Sequence, residues 1–141
     1  MRRDRYDTRG HYDLDAWKVA RDLVKAIYLL TQSFPRVGLF GLAIQMRRAA
    51  VSIPSNIAEG AARRGTREFA QFLNVARGSL SELETQLLIA SDLAYVNVND
   101  PVFGLTNRLA RLLTGLPGSS ASSTSRPADS AAPRRLRSPP A

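Results

Sequence analysis

Apolar side chains recur at intervals of three and four over most of residues 13–114, the spacing that gathers them on one face of an α-helix. Ala16, Ala20, Leu23, Val24, Ile27, Leu30, Thr31 and Phe34 form the first such face and predict a helix over about 13–34. Asp13 suits its N-cap and Pro35 its stop. The opposite face carries Lys18, Arg21 and Lys25 as one cationic stripe, which is also how the solvated face of an ordinary amphipathic helix reads. The second segment, about 38–61, has Leu42, Met46, Ala49, Ala50, Ile53 and Ile57 on one side. Ile44, Val51 and Ala58 recur seven apart on another side, about 150° around the axis at 100° per residue. A helix apolar on two sides needs partners on two sides. The bundle core supplies one, and a second subunit is the expected other. Pro54 removes a backbone donor and predicts a kink or a wider turn there.

Phe69, Phe72, Leu73, Ala76, Leu80, Leu83, Leu87 and Ala90 predict a third helix over about 66–92, with Thr66 as N-cap and Glu68 in its first turn. Asp100-Pro101 opens a fourth as cap and first helical residue, and Leu105, Leu109, Leu112 and Leu113 carry it to about Thr114. Residues 1–12 are polar and aperiodic and read as a flexible arm. Residues 116–141 are rich in Ser, Ala, Pro and Arg, so they read as a disordered basic tail that buries too little surface to offset ordering. Four helices, short connections at 35–38, 61–65 and 93–99, and no strand signal predict an all-α fold. The architecture expected for residues 13–115 is an antiparallel up-down four-helix bundle.

Charge gives this scaffold a direction. Twenty Lys+Arg against 12 Asp+Glu leave a net +8, a balance that favours polyanionic partners, nucleic acid (RNA or DNA) before acidic lipid. The clusters that could meet phosphate are Arg63, Arg64 and Arg67, then Arg47 and Arg48, then Lys18, Arg21 and Lys25. Aromatics sit mostly at core spacing, so salt-sensitive contact without base readout is the expectation. The competing reading is a protein-interaction or structural scaffold with no nucleic-acid role.

Catalytic chemistry finds little support. The single histidine, His11, sits in the arm without a nucleophile or carboxylate pair and is expected in solvent. Di-metal bundles require Glu-x-x-His pairs on inward faces, whereas Leu and Ala fill those positions here, and Glu84 is expected to pair with Arg47 or Arg48. No phosphate-binding glycine loop occurs. The chain has no cysteine, which removes disulfides, thiolate zinc sites and thiol nucleophiles. A non-enzyme without metal or cofactor follows. No secretory signal and no apolar run near the roughly 20 residues of a membrane span occur, so the expected location is cytoplasmic, away from membranes.

The residues also carry a likeness. Ser33-Phe34-Pro35 is followed in order by Gln45-Met46-Arg47-Arg48-Ala49-Ala50-Val51-Ser52-Ile53-Pro54-Ser55-Asn56-Ile57-Ala58-Glu59-Gly60. Then come Glu68-Phe69, Phe72-Leu73 and Gly78-Ser79-Leu80-Ser81-Glu82-Leu83-Glu84-Thr85-Gln86-Leu87. Over about 13–115 this resembles the four-helix-bundle proteins encoded in intervening sequences of bacterial 23S ribosomal RNA genes. The resemblance implies a ring-like homopentamer, and the second stripe of Ile44, Val51 and Ala58 is its expected subunit boundary. A relative of that family, the accessory variability protein of diversity-generating retroelements, binds nucleic acid and a reverse transcriptase, so those partners are implied as well. The family usually continues its fourth helix where Gly115-Leu116-Pro117-Gly118 breaks this one.

Overall fold

A computed structural model describes residues 11, 14–63 and 65–116. The expected arm (apart from His11), the expected tail beyond residue 116, Asp13 and Arg64 lie outside the described residues. Helix α1 spans Asp15–Thr31 with Leu14, not Asp13, in the N-cap position. It stops three residues earlier than the periodicity predicts. The Phe34 amide donates to the Thr31 carbonyl (3.2 Å) and turns the chain into Pro35, which disfavours helical backbone in the residue before it.

Helix α2 is built from three consecutive pieces: an α turn at Arg36–Gly38, a π segment at Leu39–Ala43 and the α-helix Ile44–Ala61. The wider turn expected at Pro54 therefore lies more than two turns upstream, and the α-helix runs through the proline. Side chains reinforce the backbone around it: Ser55 Oγ donates to the Val51 carbonyl (2.8 Å) and Asn56 Nδ2 to that of Ser52 (2.7 Å). Helix α3 is Thr66–Asp92, the span that the heptads predict, although Gly65 takes the cap position expected of Thr66. It closes with Ala94 in the left-handed region (φ 60°). The Tyr95 amide reaches the Ala90 carbonyl (2.8 Å) and the Ala94 amide that of Ser91 (2.9 Å), a Schellman ending. Helix α4 is Val102–Thr114. Pro101 stands at its cap position, yet Asp100 Oδ1 accepts from the Val102 amide (2.9 Å) and supplies the capping bond expected of it.

Helix α2 packs against both α3 and α1, while α4 packs against α1 and α3. Long helices that pack together across links as short as 32–35 and 62–65 must run antiparallel. Among the described residues the fold is all-α, with four helices and no strand. Leu23, Ile27, Met46, Ile53, Ile57, Leu73, Leu83, Leu87, Leu109 and Leu113 are fully buried at its centre, each contributing about 1.5–3 kcal/mol of transfer free energy. Val19 joins them, a position the expected first stripe omits.

Two contacts set how the helices meet. A Cβ on Gly60 would lie 2.8 Å from both Phe69 Cδ2 and Phe72 Cβ, so only glycine lets the end of α2 approach the start of α3 this closely. Midway along the pair, Ser52 Oγ and Ser79 Oγ share a hydrogen bond of 2.7 Å. On the other side of α3, Arg77 Nη2 donates to the Leu113 carbonyl (3.1 Å), which places its charge at the negative end of α4.

Candidate functional site

The outward side of α2 carries the second apolar stripe read from the sequence. Ile44 is 37% and Val51 41% exposed, far from the zero exposure of Ile53 and Ile57 on the inner side. Ala58 is half-buried. An open groove of about 490 Å³ runs along this side, lined by Tyr28, Ile44, Arg47, Arg48, Val51 and Ser52. The structure thus brings together Ile44, Val51 and the arginine pair, while Ala58 does not line the groove. Tyr28 on α1 adds a wall that helical periodicity within α2 alone could not reveal.

The two arginines differ. Arg47 Nε donates to the buried Thr31 hydroxyl (2.8 Å), which itself donates to the Ile27 carbonyl (2.7 Å). The Arg47 guanidinium also covers the Tyr28 ring at 4.9 Å from its centroid. Its charge is thereby pinned into the groove wall. Arg48 is exposed. The expected ion pair of Glu84 with Arg47 or Arg48 does not form within the chain, because the single ion pair among the described residues joins Arg63 to Glu59 (3.5 Å). Partial burial instead raises the Glu84 carboxyl above the ordinary carboxylate range. Glu82 Oε1 accepts from Gln86 Nε2 (3.2 Å) on its own helix.

The other cations lie elsewhere. Lys18 and Lys25 are exposed on α1, while Arg21 lays its guanidinium over Trp17 at 4.9 Å. Arg108 and Arg111, which the periodicity argument passes over, are exposed on α4. Their signal is present in the sequence: they sit three apart, opposite Leu109 and Leu113, in a helix with no acidic residue. Near the link between α2 and α3, Arg63 is shared between Glu59 and the face of Phe72, at 5.3 Å. Arg67 is exposed. A smaller groove of about 230 Å³ there is lined by Leu14, Gly60, Ala61, Arg63, Gly65, Thr66 and Phe69. Lys25 stands one turn before Tyr28 on the same face of α1, so the α1 stripe runs towards the groove, whereas Arg63 lies at the far end of α2.

One expectation is overturned. His11 is 9% exposed, not a solvent-facing loop side chain. Its ring meets Trp17 edge to face at 5.1 Å and 72°, and its carbonyl accepts from the Leu14 amide (3.1 Å), which folds this residue back onto α1. Among the described residues no group of three or more His, Cys, Asp or Glu could hold a metal ion, and no helix is long and apolar enough to cross a membrane.

Fold and surface together define a small helical-bundle protein with an unfilled apolar side and scattered exposed cations. The family model of the 23S rRNA-intervening sequence proteins matches residues 12–115, and the chain belongs to that family. No curated protein matches it.

Proposed function

We propose that this protein is a non-enzymatic homo-oligomer that binds RNA or DNA without strong sequence preference, through cations repeated around its assembly. The observation that carries the reading is the imbalance of charge. The chain bears +8, and among the described residues every Lys and Arg except Arg47 and Arg77 is exposed. Such cations attract phosphate and release counterions, giving affinity that falls steeply with salt. The resemblance to a nucleic-acid-binding accessory protein supports the same reading, and it alone supplies the number five for the ring. Exposure of Ile44 and Val51 on α2 supports a subunit boundary there.

Arg63, Arg64 and Arg67 are the residues we favour for meeting phosphate, with the exposed Lys18 and Lys25 of α1 and Arg108 and Arg111 of α4 adding to the field. The test measures binding of an RNA and of a duplex DNA of matched length, at several salt concentrations, to the full chain and to a chain ending at residue 116. Replacing Arg63, Arg64 and Arg67 by alanine should weaken both ligands alike. It should also flatten the salt slope by about 0.7–0.9 for each phosphate that is no longer neutralised. Failure of the shortened oligomer to bind either ligand at low salt would leave the scaffold reading, with a reverse transcriptase or another protein as partner.

A further inference from the structure

Helix α1 carries two aromatic rings, neither of them fully buried, and each lies under an arginine. Trp17 is half-buried, with the Arg21 guanidinium 4.9 Å from its ring centroid. Tyr28 is 44% exposed, with the Arg47 guanidinium 4.9 Å from its own centroid. The rings stand eleven residues apart in the chain. At 100° and 1.5 Å per residue that sets them about 20° apart around the helix and about 16 Å apart along it. They therefore share one face of α1, and Arg21 lies between them on it. Lys18 and Lys25 are exposed beside that face. The two acids of α1, Asp15 and Asp22, lie about 120° or more around the axis from either ring. Past Tyr28 the face opens into the groove where Arg48 stands.

Building on the nucleic-acid binding proposed above, we infer that this face of α1 is a track for a single strand. Unpaired bases stack at Trp17–Arg21 and at Tyr28–Arg47, while Lys18, Lys25 and Arg48 meet the phosphates around them. A duplex keeps its bases stacked on one another and offers a protein mainly phosphate. An unpaired base has a free face for an aromatic ring or a guanidinium plane. An arginine over a ring supplies both surfaces: cation–π attraction holds the guanidinium against the ring, and its outer side is left for a base. At Tyr28 this unit is set in advance, because Arg47 Nε is fixed by the Thr31 hydroxyl (2.8 Å). Every base has a face to stack, so such a track tolerates any sequence. Duplex DNA carries the denser charge, so phosphate contacts alone would favour the duplex, and a preference for the single strand has to come from stacking.

Trp17 is the chain's single tryptophan, so its fluorescence reports on one end of the track. The experiment titrates the full chain at low salt with an unstructured strand of about 12 uridines, long enough to pass both rings at the 3.4 Å rise of stacked bases. An RNA duplex of equal length is the comparison, with affinity read from the anisotropy of labelled ligand. The strand should bind at least ten-fold tighter than the duplex and quench Trp17. Tyr28→Ala should weaken strand binding about ten-fold, whereas Tyr28→Phe, which keeps a ring, should not; circular dichroism checks that both variants stay helical. A duplex bound as tightly as the strand, a bound strand that leaves Trp17 unquenched, or a helical Tyr28→Ala chain with unchanged affinity would each overturn the track and leave phosphate-driven binding in place. Binding of neither ligand would overturn the proposed function and the track together.

Discussion

Ala94 adopts a conformation that a residue with a Cβ rarely takes, φ 60°, and it does so to close α3. A left-handed alanine costs about 1–2 kcal/mol, part of which glycine returns as entropy of the unfolded chain. Ala94→Gly should therefore stabilise the protein by about 0.5–1 kcal/mol and raise its melting temperature by a few degrees. Glu84 makes a second residue-level prediction. Burial raises its pKa in the folded chain, so its charged form is penalised at neutral pH and the penalty disappears as pH falls through the carboxylate range. In a protomer kept apart by Val51→Glu, Glu84→Gln should raise thermal stability at pH 7 and have no such benefit at pH 3.

At the scale of the helix, Gly60 tests whether the approach of α2 to α3 matters. Gly60→Ala puts a methyl 2.8 Å from Phe69 and Phe72; overpacking of this kind costs about 1–3 kcal/mol, measurable by urea unfolding. The helices themselves are largely legible in the sequence, and α3 matches its predicted span because Leu73, Leu80 and Leu87 repeat without interruption. Less legible are features that depend on contact between elements. Nothing in Leu39-Phe40-Gly41-Leu42-Ala43 announces a π turn, and Pro54 points to the wrong place for one. Spacing assigns Tyr28 and Arg47 to separate helices, and only packing joins them into one groove. His11 reads as solvated because a sequence offers no way to foresee the ring of Trp17 beside it.

For the whole molecule, binding and assembly should be coupled. Val51→Glu places a carboxylate in the apolar groove and should yield helical monomers in light scattering. If phosphate contacts are summed around a ring, those monomers should bind RNA with at least ten-fold lower affinity, since linked sites reinforce one another. Equal affinity for monomer and oligomer would show that each protomer carries a complete site. Part of this is visible in the composition, where +8 on 141 residues already suggests polyanions. The layout is not, because only packing brings Arg47 of α2 over Tyr28 of α1, one turn from Lys25.

The π segment at Leu39–Ala43 has a consequence for how this chain tolerates insertions and deletions. A π turn is an α-helix with one residue too many, so deleting Gly41, whose position has open space around it, would make the backbone more regular. It would also swing everything upstream by about 100° relative to Met46 and Ile53. Gly38 would leave the Tyr95 ring that now presses against it, and Phe34, which shares that ring at 5.3 Å, would lose its seat. The surplus residue is the phase correction that lets one helix answer to two clocks, the repeat of the bundle and the docking of the loop at its end.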